Sequence, residues 1–252
     1  MRYAMAVDVQ CCMGCMTCVV SCQMNSGLRP GMARTRVDEL EWGRWPDGGR
    51  AALPHGCLHC DEPRCVRVCP TGASAQGADG IVAVDGERCI GCGVCVTACA
   101  YGARTIPGSD TYFFGALAPA PYEALRTVPV GVADKCDFCR DRMVRGAEPA
   151  CVRDCPASAR LFGDVDDPAS PIGRFAASEG VRSVAGRGFF YGGAPAALDG
   201  ERAIREGSYR PAPAAIVGEA AEGPEANPVV LGAAAVAVVA AGAGLAAYKQ
   251  RS

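Results

Sequence analysis

Aromatic residues make up 6% of this 252-residue chain, and histidine occurs twice, at His55 and His59. With so few rings, aromatic packing cannot dominate the core. Two histidines and no Ser-His-Asp set leave no nucleophilic triad. Positive charge has no excess over negative: 25 Lys and Arg face 27 Asp and Glu, a formal net charge of −2. That balance argues against nucleic acid as a partner, because nothing is left over to neutralise phosphates. The run AGAGLA at 241–246 lies in an apolar segment and follows no strand, so it cradles no phosphate. The N-terminal stretch MRYAMAVDVQCC has no twin-arginine pair and no apolar run long enough for a secretory signal. Asp166 and Asp167 precede a proline and read as a solvated turn, not a catalytic pair. Nothing in this inventory carries substrate chemistry.

What the chain has instead is cysteine, 17 of them, among 32 glycines and 18 prolines. Small residues and loops in place of a bulky core require another staple, and cysteines are the source at hand. They fall into four motifs. The first is Cys12-x2-Cys15-x2-Cys18-x3-Cys22, and the second Cys57-x2-Cys60-x4-Cys65-x3-Cys69-Pro70. The third is Cys89-x2-Cys92-x2-Cys95-x3-Cys99, and the fourth Cys136-x2-Cys139-x11-Cys151-x3-Cys155-Pro156. Each is three cysteines in a loop with a fourth one helical turn later. The stretch CCMGCMTCVVSC holds one cysteine too many, and the match of Cys12 to Cys89 leaves Cys11 as the spare.

Three chemistries compete for such motifs. Disulfides suit short secreted chains, but Cys-x2-Cys-x2-Cys crowds neighbours into one loop, poor geometry for bridging them. Zinc takes four ligands, often from two Cys-x2-Cys knuckles, and the fourth motif alone resembles half of such a site. Three cysteines from one loop plus a fourth from elsewhere is the iron–sulfur pattern, in which the fourth cysteine ligates the other cluster of a pair. Gly14, Gly91 and Gly93 would let the backbone approach the inorganic sulfides. Four sets of four imply four [4Fe–4S] clusters, and removing the iron is expected to remove the fold. His59, inside Cys57-Leu-His-Cys60, is a candidate donor to a cluster sulfur; packing alone is the rival role.

Between the motifs, residues 35–56 (TRVDELEWGRWPDGGRAALPHG) predict a strand, a Pro-Asp-Gly-Gly turn and a second strand. GIVAVD at 80–85 is a short β-rich run, 107–130 a proline-containing connector, and the stretch after Asp164 a loop followed by a short helix. Residues 211–228 read as a flexible linker. Between Glu225 and Lys249 lie 23 uncharged residues, about 34 Å of helix at roughly 1.5 Å per residue, enough for a bilayer core of about 30 Å. Residues 226–248 are therefore expected to form a transmembrane helix, with Gly232, Gly242 and Gly244 giving a small-residue packing surface.

With CLHCDEPRCVRVCP in the second motif and KCDFCRDRMVRGAEPACVRDCPASARLFGDVDDPAS around the fourth, the sequence resembles the four-cluster iron–sulfur subunit of the dimethyl sulfoxide reductase family. Related subunits serve thiosulfate, polysulfide, tetrathionate and arsenate reductases and formate dehydrogenases. The resemblance covers roughly residues 3–173; nothing familiar is found over 174–225. It implies an α+β fold of two nested ferredoxin-like modules with loop-rich insertions, an outer module from about 1–30 and 130–165 around an inner one at about 50–110. Carried over position by position, Cys57, Cys60, Cys65 and Cys99 would hold one cluster, and Cys69, Cys89, Cys92 and Cys95 its neighbour. Cys12, Cys15, Cys18 and Cys155 would hold a third, and Cys22, Cys136, Cys139 and Cys151 the fourth. Some relatives put tryptophan for a third-motif cysteine and carry a three-iron cluster; here all are present. A sequential arrangement, with motifs one and two sharing a module, is the alternative and would bring Cys22 near Cys57.

The chain is thus expected to be a non-catalytic electron-transfer subunit. The resemblance implies a molybdopterin catalytic partner holding Mo or W, and an integral-membrane, quinone-reactive subunit as a second partner. The rivals are an iron–sulfur subunit of a membrane-bound hydrogenase or formate dehydrogenase, a free ferredoxin, which needs no anchor, and a structural zinc module. Lys249 and Arg251 follow the apolar segment while Glu219, Glu222 and Glu225 precede it. The positive-inside rule then puts the cluster domain on the extracytoplasmic face, exported on a partner that carries a signal; a cytoplasmic face is the alternative.

Overall fold

The first strand, β1 (Tyr3–Asp8, YAMAVD), alternates small and large apolar side chains, and each face meets a different neighbour. Met5 and Val7 join the main core with Val9, Leu53, Leu58, Ile81, Phe138, Phe189 and Tyr191. Ala4 and Ala6 face the other way, where Ile172 and Phe190 pack closely on them. A strand buried on both faces reads as a continuous apolar run, as this one does. The computed structural model describes residues 1–116, 118–125 and 128–193.

In sequence order follow α1 (Thr17–Ser26), β2 (Thr35–Trp42), β3 (Gly49–Gly56), α2 (Arg64–Arg67), β4 (Ser74–Gln76), β5 (Val82–Val84) and α3 (Val94–Thr97). The second half holds α4 (Arg140–Val144), α5 (Ala150–Arg153), β6 (Arg160–Asp164), α6 (Pro171–Ala176), β7 (Arg182–Ser183) and β8 (Phe189–Gly192). It is a small mixed helix and sheet fold of the α+β class. The four-stranded sheet runs β6-β1-β8-β7, with two separate hairpins, β2-β3 and β4-β5. β1 pairs antiparallel with β6, Tyr3 opposite Asp164, which closes the two ends of the cysteine-bearing region on each other. α1 packs on α5 and α2 on α3, so the first motif meets the fourth and the second meets the third. The segment leaving the third motif is joined to the segment entering the fourth by reciprocal backbone hydrogen bonds between Thr105 and Asp134, 3.0 and 2.7 Å.

The hairpin expected over 35–56 is present, in register from Thr35↔Gly56 to Trp42↔Gly49. GIVAVD contains β5, and the short helix after Asp164 is α6, capped by the Ser170 hydroxyl accepting from the Gly173 N–H at 2.9 Å. The connector at 107–130 contains 3-10 turns at Phe113–Gly115 and Glu123–Leu125. Beyond residue 173, where nothing familiar was found in the sequence, the polypeptide still adds to the fold: β8 inserts parallel to β1, Met5 opposite Phe189. Its signal was present in GFFYGG, a short apolar run bounded by glycines. Tyr191 donates its hydroxyl to the Pro54 carbonyl at 2.9 Å, tying the sheet to the β2-β3 hairpin. Just before β8 the backbone of Gly188 lies so close to the second cysteine loop that a Cβ would stand 2.3 Å from the Leu58 carbonyl oxygen. The transmembrane helix expected at 226–248 lies outside the described residues; among those described, no helix is long and apolar enough to cross a membrane.

Candidate metal centres

The four cysteine motifs share one local geometry. In each, the residue before the second cysteine has left-handed backbone: Gly14 (φ 70), His59 (φ 46), Gly91 (φ 68) and Phe138 (φ 58). That turn curls the loop so that its cysteines face inward. The third cysteine then sits on a helix, Cys18 on α1, Cys65 on α2, Cys95 on α3 and Cys151 on α5. The fourth follows: Cys22 inside α1, and Cys69, Cys99 and Cys155 one residue past the C-caps Val68, Ala98 and Asp154.

Helix packing then sorts the sixteen cysteines into groups. Cys12, Cys15, Cys18 and Cys155 line one small cavity. Cys69, Cys89, Cys92 and Cys95 line a second. Burial first, then the neighbouring Cys57, Cys99 and Cys65, push the Cys60 thiol up to about 12. Burial and the nearby Cys151 and Cys139 likewise push Cys22 up to about 12, and burial with Cys22 and Cys151 beside it raises Cys136 well above the usual thiol range. Cys57, Cys65 and Cys99 therefore lie near Cys60, and Cys136, Cys139 and Cys151 near Cys22. Cys57 also acts on Cys136, so these two groups adjoin at the middle of the fold.

Crowded buried thiols resist ionisation unless a cationic centre lies among them, and iron supplies it: a coordinating thiol is deprotonated outright. Among the described residues, no three His, Cys, Asp or Glu converge on a point where a single ion would sit. A cubane presents a separate iron to each thiolate, so its ligands ring a cavity instead of meeting at a point. Backbone N–H groups already serve as sulfur donors: Ser74 to Cys69 Sγ at 3.4 Å, Ala133 to Cys89 Sγ at 3.4 Å, and Phe138 to Cys136 Sγ at 3.4 Å. The Ser74 N–H is the largest reason that the half-buried Cys69 thiol is lowered to about 7. The residues present fit iron–sulfur clusters in donor type, grouping and backbone donors.

A family described as "4Fe-4S dicluster domain" matches residues 50–110 and 115–165. The B subunit of selenate reductase from Mesobacillus selenatarsenatis is 35% identical over 193 residues, 71% of this chain and 66% of that protein. The B subunit of tetrathionate reductase from Salmonella typhimurium is 41% identical over 175 residues, 68% of this chain and 61% of that protein. The corresponding component of polysulfide reductase from Wolinella succinogenes is 37% identical over 182 residues, 71% of this chain and 84% of that protein. The chain is a member of the 4Fe–4S dicluster family of iron–sulfur subunits. It matches less than two thirds of the length of the first two relatives.

Around its cysteine groups this dicluster protein holds three buried cations, Lys135, Arg104 and Arg160, and a half-buried one, Arg34, that the sequence did not single out. Arg34 is held bidentate by Asp134, Nη2 to Oδ1 at 2.6 Å and Nε to Oδ2 at 3.0 Å. Lys135 donates to the Val82 and Cys136 carbonyls. Arg104 donates through Nη1 to the Ser74 hydroxyl at 2.7 Å. Arg160 donates to Thr35 Oγ1 at 2.8 Å and to Cys151 Sγ at 3.4 Å. The signal that was available is register: Arg104 and Arg160 each stand five positions after the last cysteine of their motif.

The two histidines part company. His55 lies on β3 with Nε2 3.0 Å from the Asp38 carboxylate across the hairpin. His59 is fully buried, and its Nδ1 accepts from the Val82 N–H at 3.0 Å, which puts the ring proton on Nε2. Burial, reinforced by Lys135, Arg104 and Arg2, holds this imidazole neutral. Nε2 has no hydrogen-bond partner among the described residues. Cys11 is exposed and donates its thiol to Asp8 Oδ2 at 3.4 Å, outside both cysteine-lined cavities.

Proposed function

We propose that this subunit carries four [4Fe–4S] clusters and relays electrons between a membrane quinone pool and a molybdopterin catalytic subunit of a respiratory oxidoreductase. The observation that supports it is a pair of cavities each lined by four cysteines, with the remaining eight ligand cysteines near Cys60 and Cys22. Cys69, Cys89, Cys92 and Cys95 would hold the first cluster, and Cys57, Cys60, Cys65 and Cys99 the second. Cys22, Cys136, Cys139 and Cys151 would hold the third, and Cys12, Cys15, Cys18 and Cys155 the fourth. Each bound cluster supplies one-electron redox chemistry at a potential tuned by its surroundings. The order follows from contacts: α2 against α3 joins the first pair, Cys57 beside Cys136 joins the two halves, and α1 against α5 joins the last pair. Cys92 and Cys15 are exposed at the two ends, which suits entry and exit of electrons through docked partners.

The protein's own residues insulate this path. Phe138, His59, Leu58 and Ile81 fill its middle with side chains at most 1% exposed, which excludes water from between the groups. The apolar segment at 226–248 would anchor the subunit, with the cluster domain on the extracytoplasmic face. The relatives are named as components of selenate, tetrathionate and polysulfide reductases, which supports a reductase complex. Purification of the intact complex with metal analysis tests the reading. It expects about sixteen iron atoms per chain from four cubanes, together with molybdenum or tungsten. Nickel would favour a hydrogenase, and zinc in place of iron would end the proposal.

A further inference from the structure

Arg104 and Arg160 occupy equivalent places in the two halves of the molecule. Each stands five residues after its motif's last cysteine, Cys99 or Cys155, and follows a buried alanine, Ala103 or Ala159. Each is at most 4% exposed. Arg104 lies beside Cys65 and Cys57 of one cysteine group and Cys95 of the next. Arg160 lies beside Cys151 of one group and Cys18 of the next. In both halves the guanidinium therefore sits between the helix-borne third cysteines of two adjacent groups.

Ordinary structural arginines bury their charge against a carboxylate, as Arg34 does against Asp134. Among the described residues neither Arg104 nor Arg160 has one. Their side-chain partners are Ser74 and Cys95 for Arg104, and Thr35, Met5 Sδ and Cys151 Sγ for Arg160. Arg104 Nη2 and Arg160 Nε have no hydrogen-bond partner at all among the described residues. A buried, unpaired cation with spare N–H groups is expensive unless an anion lies against it. The thiolates and sulfides of two neighbouring clusters are the anions this site would present.

We propose that Arg104 and Arg160 are a matched pair of positioning charges, each seated between two [4Fe–4S] clusters and raising the reduction potential of both. The inference rests on the four-cluster reading above. Reduction adds one electron to a cluster and makes or breaks no bond, so the added negative charge is what the guanidinium stabilises. Placed between two clusters, one cation serves whichever of them holds the electron. It thereby lowers the cost of transfer within each half.

The test is redox potentiometry of the intact membrane complex, followed by electron paramagnetic resonance, with iron counted in every sample. In Arg104→Gln, two clusters should shift to lower potential, each by at least a tenfold change in reduced-to-oxidised ratio, about 59 mV for a one-electron couple. The other two should stay in place. Arg160→Gln should shift the complementary two. Arg104→Lys and Arg160→Lys keep the charge and should stay near the parent. Unchanged potentials in iron-replete Gln variants, or equal shifts of all four clusters, would overturn the proposal. So would loss of iron in both the Gln and the Lys variant of one position, because the guanidinium would then be needed for folding and not for its charge. A parent complex without four clusters would instead refute the underlying cluster count.

Discussion

His59 stacks its imidazole on the ring of Phe138, with centroids 3.8 Å apart and planes at 26°. The two residues hold the same position in the second and fourth cysteine motifs, and both have the left-handed backbone usually left to glycine. Where the first and third motifs use Gly14 and Gly91, these two spend a side chain, and the side chains meet. The stack joins the second motif to the fourth, where Cys57 approaches Cys136. Phe162 extends it, its ring 5.1 Å from that of Phe138.

Truncating this joint should loosen both halves together. Phe138 is 1% exposed and packs in the main core. Phe138→Ala removes a buried ring and leaves a cavity, at a cost of about 3–5 kcal/mol. At roughly 2–4 °C per kcal/mol, the unfolding midpoint of the iron-loaded subunit should fall by about 10 °C in scanning calorimetry. A change of a degree or less would mean that the stack is incidental to the joint.

Cys11 is the residue to remove for a null result. Its thiol is turned to Asp8 and lies outside the cavity that Cys12, Cys15, Cys18 and Cys155 line. Cys11→Ser should keep the parental iron content and the spectra of all clusters, whereas Cys12→Ser should lose or convert one cluster. Iron loss in the Cys11 variant would shift the register of the first motif by one residue.

Much of this arrangement was legible because cysteine spacing is a covalent ruler. Gly14 and Gly91 advertise tight loops, and Cys18 and Cys22 stand four residues apart, one helical turn. The β2-β3 hairpin was readable from alternation around Pro46-Asp47-Gly48-Gly49. What spacing does not encode is what approaches from far away in sequence. Arg160 reaches Thr35 across 125 positions, and β8 enters the sheet beside β1 across more than 180 residues of sequence. A surface arginine and a buried one have the same letter, and only burial without a carboxylate partner, together with an unsatisfied guanidinium N–H, separated Arg104 and Arg160 from the other basic residues. His59 was visible as a candidate, but its partnership with Phe138 was not, because spacing gives the two equivalent positions in their motifs without showing that their side chains meet.

Iron removal tests how far the clusters themselves hold the fold. The contacts that hold each half together run through cysteine-bearing elements, α1 on α5 and α2 on α3, and three of those helices are a single turn of four residues. Helices that short have no stability of their own in water. The helix-borne cysteines Cys18 and Cys151 are themselves part of the main core. Without iron, burial would hold thiols such as Cys22 and Cys60 protonated, with no bond across the groups to replace the lost ligation. Chelation under reducing, anaerobic conditions should therefore abolish the near-ultraviolet circular dichroism and most of the far-ultraviolet signal, and restoring iron and sulfide should bring both back. A stripped protein that kept its native spectrum and a cooperative thermal transition would show that the sheet around β1 carries the fold alone.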